Sequence, residues 1–188
     1  MNQKKNNTRH YAKSIRSMLD VEACSRDICS QILLWEKYRA ARHVMLFYPI
    51  GTEISLLQLV KDKTKSFYFP ILDENNNIYP VLYEENSGFK KGAFNINEPI
   101  GVPVRDFSVL DMIFIPALAI DTRGFRLGYG KGCYDKFICH LTDNTLKVVP
   151  ISKRLIFNDI PVEQHDKNVD YAICENGITG FATHLLNG

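Results

Sequence analysis

The segment from Leu110 to Asp135 constrains the fold more than any other part of the chain. Leu110 to Ile120 reads as an apolar strand, the following residues are rich in glycine, and a helix is expected from about Cys133 to Leu141. Gly128, Gly130 and Gly132 alternate with larger residues, so backbone N–H groups can approach a ligand with no Cβ in the way. Arg126 and Lys131 bring positive charge to the same stretch, and Asp135 falls at the expected helix start. Strand, glycine-rich turn and helix in that order form a recurrent cradle for phosphate groups. A surface loop without a ligand is the plainer alternative.

The loop is not a Walker A motif. Lys131 is followed by Gly132, so the hydroxyl that helps hold Mg²⁺ in that motif is missing. Nor is it Gly-x-Gly-x-x-Gly, because position 133 is cysteine. A metal would therefore need other oxygen ligands. Asp135 is the nearest carboxylate, and Asp166 and Asp170 are the distant candidates. Asp135 also reads as a helix N-terminal carboxylate favoured by the dipole.

The rest of the chain supplies an alternation of helices and strands. Val21, Cys24, Ile28, Ile32 and Trp35 make one apolar helical stripe within a first forty residues that reads as helical. His43–Pro49 and Ser66–Leu72 read as strands, with a short helix over Ile54–Val60 between them. Ile78–Tyr83 continues extended after an Asn-rich turn, and Pro80 marks it as an edge strand. Residues 84–109 read mainly as loop. Leu146–Ile151, Tyr171–Cys174 and Ile178–Phe181 read as further strands. The expected fold is a layered α/β domain spanning 1–188, with a mostly parallel central sheet, flanking helices and added short strands. Ligands of such sheets bind beyond the carboxyl ends of the strands. The Tyr48–Glu53 loop and the glycine loop both follow strands and can share such a site.

Composition narrows the partners. The chain has 188 residues, with 23 basic and 21 acidic side chains, so bulk binding to nucleic acid or membrane is not expected. The polar N-terminus lacks the apolar core of a signal peptide, and no apolar run approaches a membrane span. A cytoplasmic monomer is expected. Five cysteines without a Cys-x-x-Cys pair argue against a disulfide framework or structural zinc.

Arg126–Asp135, Arg-Leu-Gly-Tyr-Gly-Lys-Gly-Cys-Tyr-Asp, resembles the signature of the 5-formyltetrahydrofolate cyclo-ligases, also called methenyltetrahydrofolate synthetases. The likeness runs through most of the chain. Lys5-Asn-Asn-Thr-Arg9 is similar to the family's N-terminal Lys-x-x-x-Arg, and Tyr48-Pro-Ile-Gly-Thr-Glu53 to its strand-to-loop segment ending in a substrate-binding Glu. Glu98-Pro99, Asp111–Pro116 and Pro161–Asp166 follow in the family's order. The signature is specific, whereas Lys-x-x-x-Arg alone would carry nothing.

The resemblance implies ATP as co-substrate, Mg²⁺, and 5-formyltetrahydrofolate as substrate, with or without a polyglutamyl tail. Lys5, Arg9 and the stretch Arg126, Leu127, Gly128, Tyr129, Gly130, Lys131, Gly132, Cys133 and Tyr134 would bind ATP, with Arg126 and Lys131 catalytic. Tyr48, Glu53 and Tyr129 would contact the folate, and Asp135 and Asp170 would hold Mg²⁺. The chain departs from the family pattern at Cys133, Ala117 and Ile120, which affects pocket walls. Two other readings stand beside this one. Cys133 after a basic loop could be a thiolate nucleophile, and the fold could serve as a non-catalytic module that binds a folate or phosphorylated metabolite.

Overall fold

A computed structural model describes residues 3–181, and residues 1–2 and 182–188 of the expected 1–188 domain lie outside them. The main sheet has seven strands: β1 (His43–Met45), β2 (Ser66–Leu72), β3 (Ile78–Leu82), β6 (Met112–Phe114), β9 (Leu146–Pro150), β11 (Tyr171–Cys174) and β12 (Gly177–Gly180). Their spatial order is β12-β11-β9-β6-β1-β2-β3. From β11 through β2 every pairing is parallel, while β12 and β3 add antiparallel edges. Pro80 thus lies on an edge strand, where its missing N–H costs least.

Alternation along the buried strands feeds two cores, one on each face. Val44, Leu46, Met112, Phe114 and Val148 point to one side, and Met45, Ile113, Ile115 and Val149 to the other. The first face is covered by α2 (Val21–Leu34) and α3 (Glu36–Ala40) through Ile28, Ile32 and Tyr38. Asp20 caps α2 by accepting from Ala23 N at 2.9 Å. The second face is covered by α1 (Gln3–Arg16), α4 (Cys133–Ile138) and a small sheet ordered β10 (Ile156–Phe157), β7 (Ala119–Asp121), β8 (Arg126–Leu127).

Several local expectations change. The strand expected over residues 110–120 is two: β6 stays in the main sheet, and β7 leaves it to join the small one. The break falls at Pro116, which cannot donate to a ladder. Arg126 and Leu127 belong to β8 rather than to the loop. Residues 84–109 contain a hairpin of β4 (Phe89–Lys91) and β5 (Asn97–Pro99). The short helix after β1 is a 3-10 segment at Leu57–Lys61, and α4 ends three residues before Leu141. Among the described residues no helix is long and apolar enough to cross a membrane.

Candidate active site

Beyond the carboxyl ends of β1, β2 and β6 lies a cavity of about 640 Å³. The whole run Arg126–Asp135 lines it together with Tyr48 and Glu53, and Lys5 and Arg9 reach in from α1. Two segments more than seventy residues apart in sequence therefore share one cavity, as the parallel topology requires. Phe47, Pro70, Leu72, Ile78 and Pro116 make part of the lining apolar. Tyr48 stands edge-on to Phe89 at 5.1 Å, and Phe89 in turn stacks on Tyr83 at 5.2 Å. That aromatic contact fixes the Tyr48 ring from behind.

The glycine loop is held by positive backbone angles and by an arginine. Gly130 has φ +97° and Gly132 φ +68°, conformations that L side chains rarely adopt. A Cβ on Gly130 would come 3.4 Å from the Arg9 guanidinium, whose Nε donates to Gly128 O at 2.9 Å. Lys131 is exposed on this loop, and Tyr134 is half-buried behind it.

Arg126 is buried and bridges two chain segments. It donates to Asp135 Oδ1 at 3.0 Å and to Lys167 O at 2.9 Å. Burial lowers its pKa, and the Asp135 carboxylate opposes that shift. The backbone pairing of Phe125 with Asn168 and of Val169 N with Gly124 O lays residues 163–169 alongside β8. This is how Glu163, His165 and Asp166 come to line the same cavity.

Lys5 is 6% exposed and donates to Glu163 at 2.7 Å and Asp166 at 2.6 Å. Burial works against its charge, but the two acids outweigh it and raise its pKa. Asp166 is shifted below the ordinary carboxylate value, its bonds from Lys5 and Glu163 N overcoming burial. One ligand atom from each of Glu163, His165 and Asp166 lies within 4.8 Å of the others.

Glu53 is 4% exposed and accepts from Ile50 N at 2.8 Å. Burial raises its pKa, while bonds from Tyr129 and Ile50 N and the charge of Arg16 pull the other way.

Every expected site residue lines the cavity except Asp170. Asp170 precedes β11 and accepts from Lys147 N at 2.8 Å and Lys147 Nζ at 3.2 Å, tying the start of β11 to β9. Asp170 is itself buried, with 7% of its surface exposed. The carboxylates that line the cavity, Asp135 in one place and the clustered Glu163 and Asp166 in another, offer the hard oxygens that Mg²⁺ takes beside phosphate. Sequence reasoning missed Glu163 and His165 as members of this group, although Pro161–Asp166 was already a matched segment. It also missed Arg16, which donates to the Tyr129 hydroxyl.

The departures from the family pattern are absorbed locally. Ala117 is buried and is not among the residues with positive φ, so its Cβ is not strained there. Ile120 is fully buried in the core. Cys133 is half-buried against that core, and burial pushes its thiol pKa up, the wrong direction for a nucleophile.

Fold and cavity together define a class: an α/β protein with its ligand site beyond the ends of a parallel sheet, one wall a cation-bearing glycine loop and the other apolar with a buried carboxylate. The 5-formyltetrahydrofolate cyclo-ligase family matches residues 2–175, and the chain belongs to that family. It is 27% identical over 165 residues to 5-formyltetrahydrofolate cyclo-ligase of Mus musculus, covering 79% of this chain and 81% of the relative. The enzyme of the same name from Mycolicibacterium smegmatis is 26% identical over 137 residues, 68% of this chain and 70% of that one. Among solved structures, 5,10-methenyltetrahydrofolate synthetase of Aquifex aeolicus superposes with a TM-score of 0.84 at 27% identity, covering 98% and 96% of the two chains. The synthetase from Mycoplasma pneumoniae, at 17% identity and TM-score 0.73 over 91% and 98%, shares the fold.

Proposed function

We propose that the protein closes 5-formyltetrahydrofolate to 5,10-methenyltetrahydrofolate with ATP and Mg²⁺, releasing ADP and phosphate. The observation that carries this reading is one cavity lined by both the cationic glycine loop and the Tyr48–Glu53 segment, in a chain of the cyclo-ligase family. The protein is read as one domain over 1–188, a cytoplasmic monomer without nucleic-acid or membrane partners, acting on folates with or without a polyglutamyl tail.

The chemical difficulty is that a formamide oxygen leaves poorly. Transfer of the γ-phosphoryl group of ATP to that oxygen turns it into phosphate. N10 then attacks the formyl carbon, loses its proton, and phosphate departs as the ring closes. No protein nucleophile enters the balance. The protein's part is alignment and charge: loop N–H groups of 128–134, Arg126, Lys131, Lys5 and Arg9 surround the phosphates. Mg²⁺, when bound, neutralises phosphate charge, and Asp135 with Glu163 or Asp166 would hold it. Asp170, which the family resemblance also assigns to the metal, lies outside the cavity lining and accepts from Lys147. Glu53 accepts from N–H groups of the pterin ring, and Tyr48 and the apolar lining provide flat walls. Tyr129 contributes to both walls.

The test is the absorbance of methenyltetrahydrofolate formed from 5-formyltetrahydrofolate with and without MgATP. Product only with MgATP supports the reading. Tight folate binding with no product under any condition would replace it with a binding module.

A further inference from the structure

Arg16 belongs to none of the sequence motifs, yet this last residue of α1 is 5% exposed. One guanidinium nitrogen donates to the Tyr129 hydroxyl oxygen at 2.7 Å and the other to Ala117 O at 2.6 Å. We propose that Arg16 is a positioning residue for Glu53, acting through the Tyr129 hydroxyl, and so completes the substrate wall of the cyclo-ligase site on whose reading this assignment rests.

The direction of the chain follows from the groups. A guanidinium has donors only, so the phenolic oxygen of Tyr129 must accept from Arg16. The hydroxyl proton is then free to be donated, and the Glu53 carboxylate, which lines the same cavity, is the nearby acceptor that feels it. Ile50 N holds Oε2 of the same carboxylate from the loop after β1. The bond to Ala117 O ties the same guanidinium to the chain just after β6. Three separate segments, the end of α1, the glycine loop and the chain after β6, are thereby tied at one point. The charged and titratable groups acting on Glu53 are Arg16 from α1, Tyr129 from the loop and Tyr134 from α4. Arg16 is the cation of that set, and it favours the ionised carboxylate that a pterin's N–H donors require.

The experiment compares Arg16→Met, Arg16→Lys, Tyr129→Phe and the Arg16→Met/Tyr129→Phe double variant. Tyr129→Phe removes only a hydroxyl from a side chain that is 46% exposed, so it keeps the test valid if Arg16→Met folds poorly. Binding of 5-formyltetrahydrofolate should weaken about tenfold in Arg16→Met and in Tyr129→Phe, with the double variant no weaker than the worse single. ATP affinity should change less than about twofold, and Arg16→Lys should restore part of the loss. The Glu53 carboxyl, followed by NMR, should titrate at higher pH in both single variants. An unmoved Glu53 titration in Arg16→Met, or losses that multiply in the double variant, overturns the assignment. If the wild-type protein neither binds nor cyclises the folate, the cyclo-ligase reading fails, while the Glu53 titration still decides on Arg16.

Discussion

Lys5 donates to Asp166 at 2.6 Å, joining residues 161 positions apart in the sequence. The same ammonium reaches Glu163, so it occupies the middle of the acidic group in the cavity. Lys5 therefore has two duties in the proposed reaction: it pairs these acids when the site is empty, and it is within the cavity when phosphates arrive.

Replacing Lys5 with methionine should lower Tm by a few degrees at pH 7 and weaken ATP binding about tenfold. The stability difference has a defined pH range. Asp166 and Glu163 are shifted below their ordinary 3.8 and 4.5, so their contribution is in place above those values and is lost as pH falls through the lowered ones. Lys5 is shifted above 10.5, so its share persists up to that value and is lost as pH climbs past the raised one. Thermal melts should show the variant's deficit closing in strong acid. A deficit that is the same at pH 7 and in strong acid would remove the ion pairs as its cause.

Lys131 is exposed on the glycine loop and lines the cavity. Lys131→Ala should raise the KM for ATP about tenfold and the KM for the folate less than about threefold. Steady-state kinetics with each substrate varied in turn measure the split. Equal effects on both would take the loop away from the phosphates.

Much of this was readable from the sequence because the carriers were local. The glycine spacing, the cations beside it and the Tyr48–Glu53 segment each lie within a dozen residues, and the parallel topology brings their segments to one end of the sheet. Arg16 was not readable in this way. It lies in a polar helix with no motif, and its role comes from a partner 113 residues away. Asp170 is a residue assigned to the metal by resemblance that lies outside the cavity lining and accepts from Lys147. The split of the 110–120 strand depends on β7 pairing with β8 and β10, contacts that periodicity within 110–120 does not encode.

Asp135 and Asp170 can be separated by experiment. Asp135→Asn should lower turnover at least about a hundredfold, because it removes a carboxylate from the phosphate end of the cavity. It also leaves the Arg126 guanidinium, 3% exposed, without that carboxylate, and stability should fall by about 3 kcal/mol. Asp170→Asn should also cost stability, through Lys147, but should change the Mg²⁺ concentration for half-maximal rate less than about twofold. Titrations of activity against Mg²⁺, alongside urea unfolding, compare the two. A large rise in the Mg²⁺ requirement of Asp170→Asn would return that residue to the metal.

Glu53 is kept at a cost to the fold, and Glu53→Gln should show it. Burial raises the carboxyl pKa above the ordinary 4.5. The folded state then holds its proton more tightly than the unfolded chain. Stability from this group is complete below 4.5 and is lost as pH rises through the raised value. Glutamine carries no charge and can still accept from Ile50 N, so the variant escapes that loss. It should melt close to wild type at pH 4 and above it at pH 8. Affinity should move the other way. A pterin's N–H groups would lose a charged acceptor, and folate binding should weaken about a hundredfold, with ATP binding nearly unchanged. Melts at the two pH values and a folate titration test both halves. A variant less stable than wild type at pH 8 would mean that the Arg16–Tyr129 chain more than offsets the burial of the charge. Wild-type folate affinity would mean that Glu53 faces no substrate N–H at all.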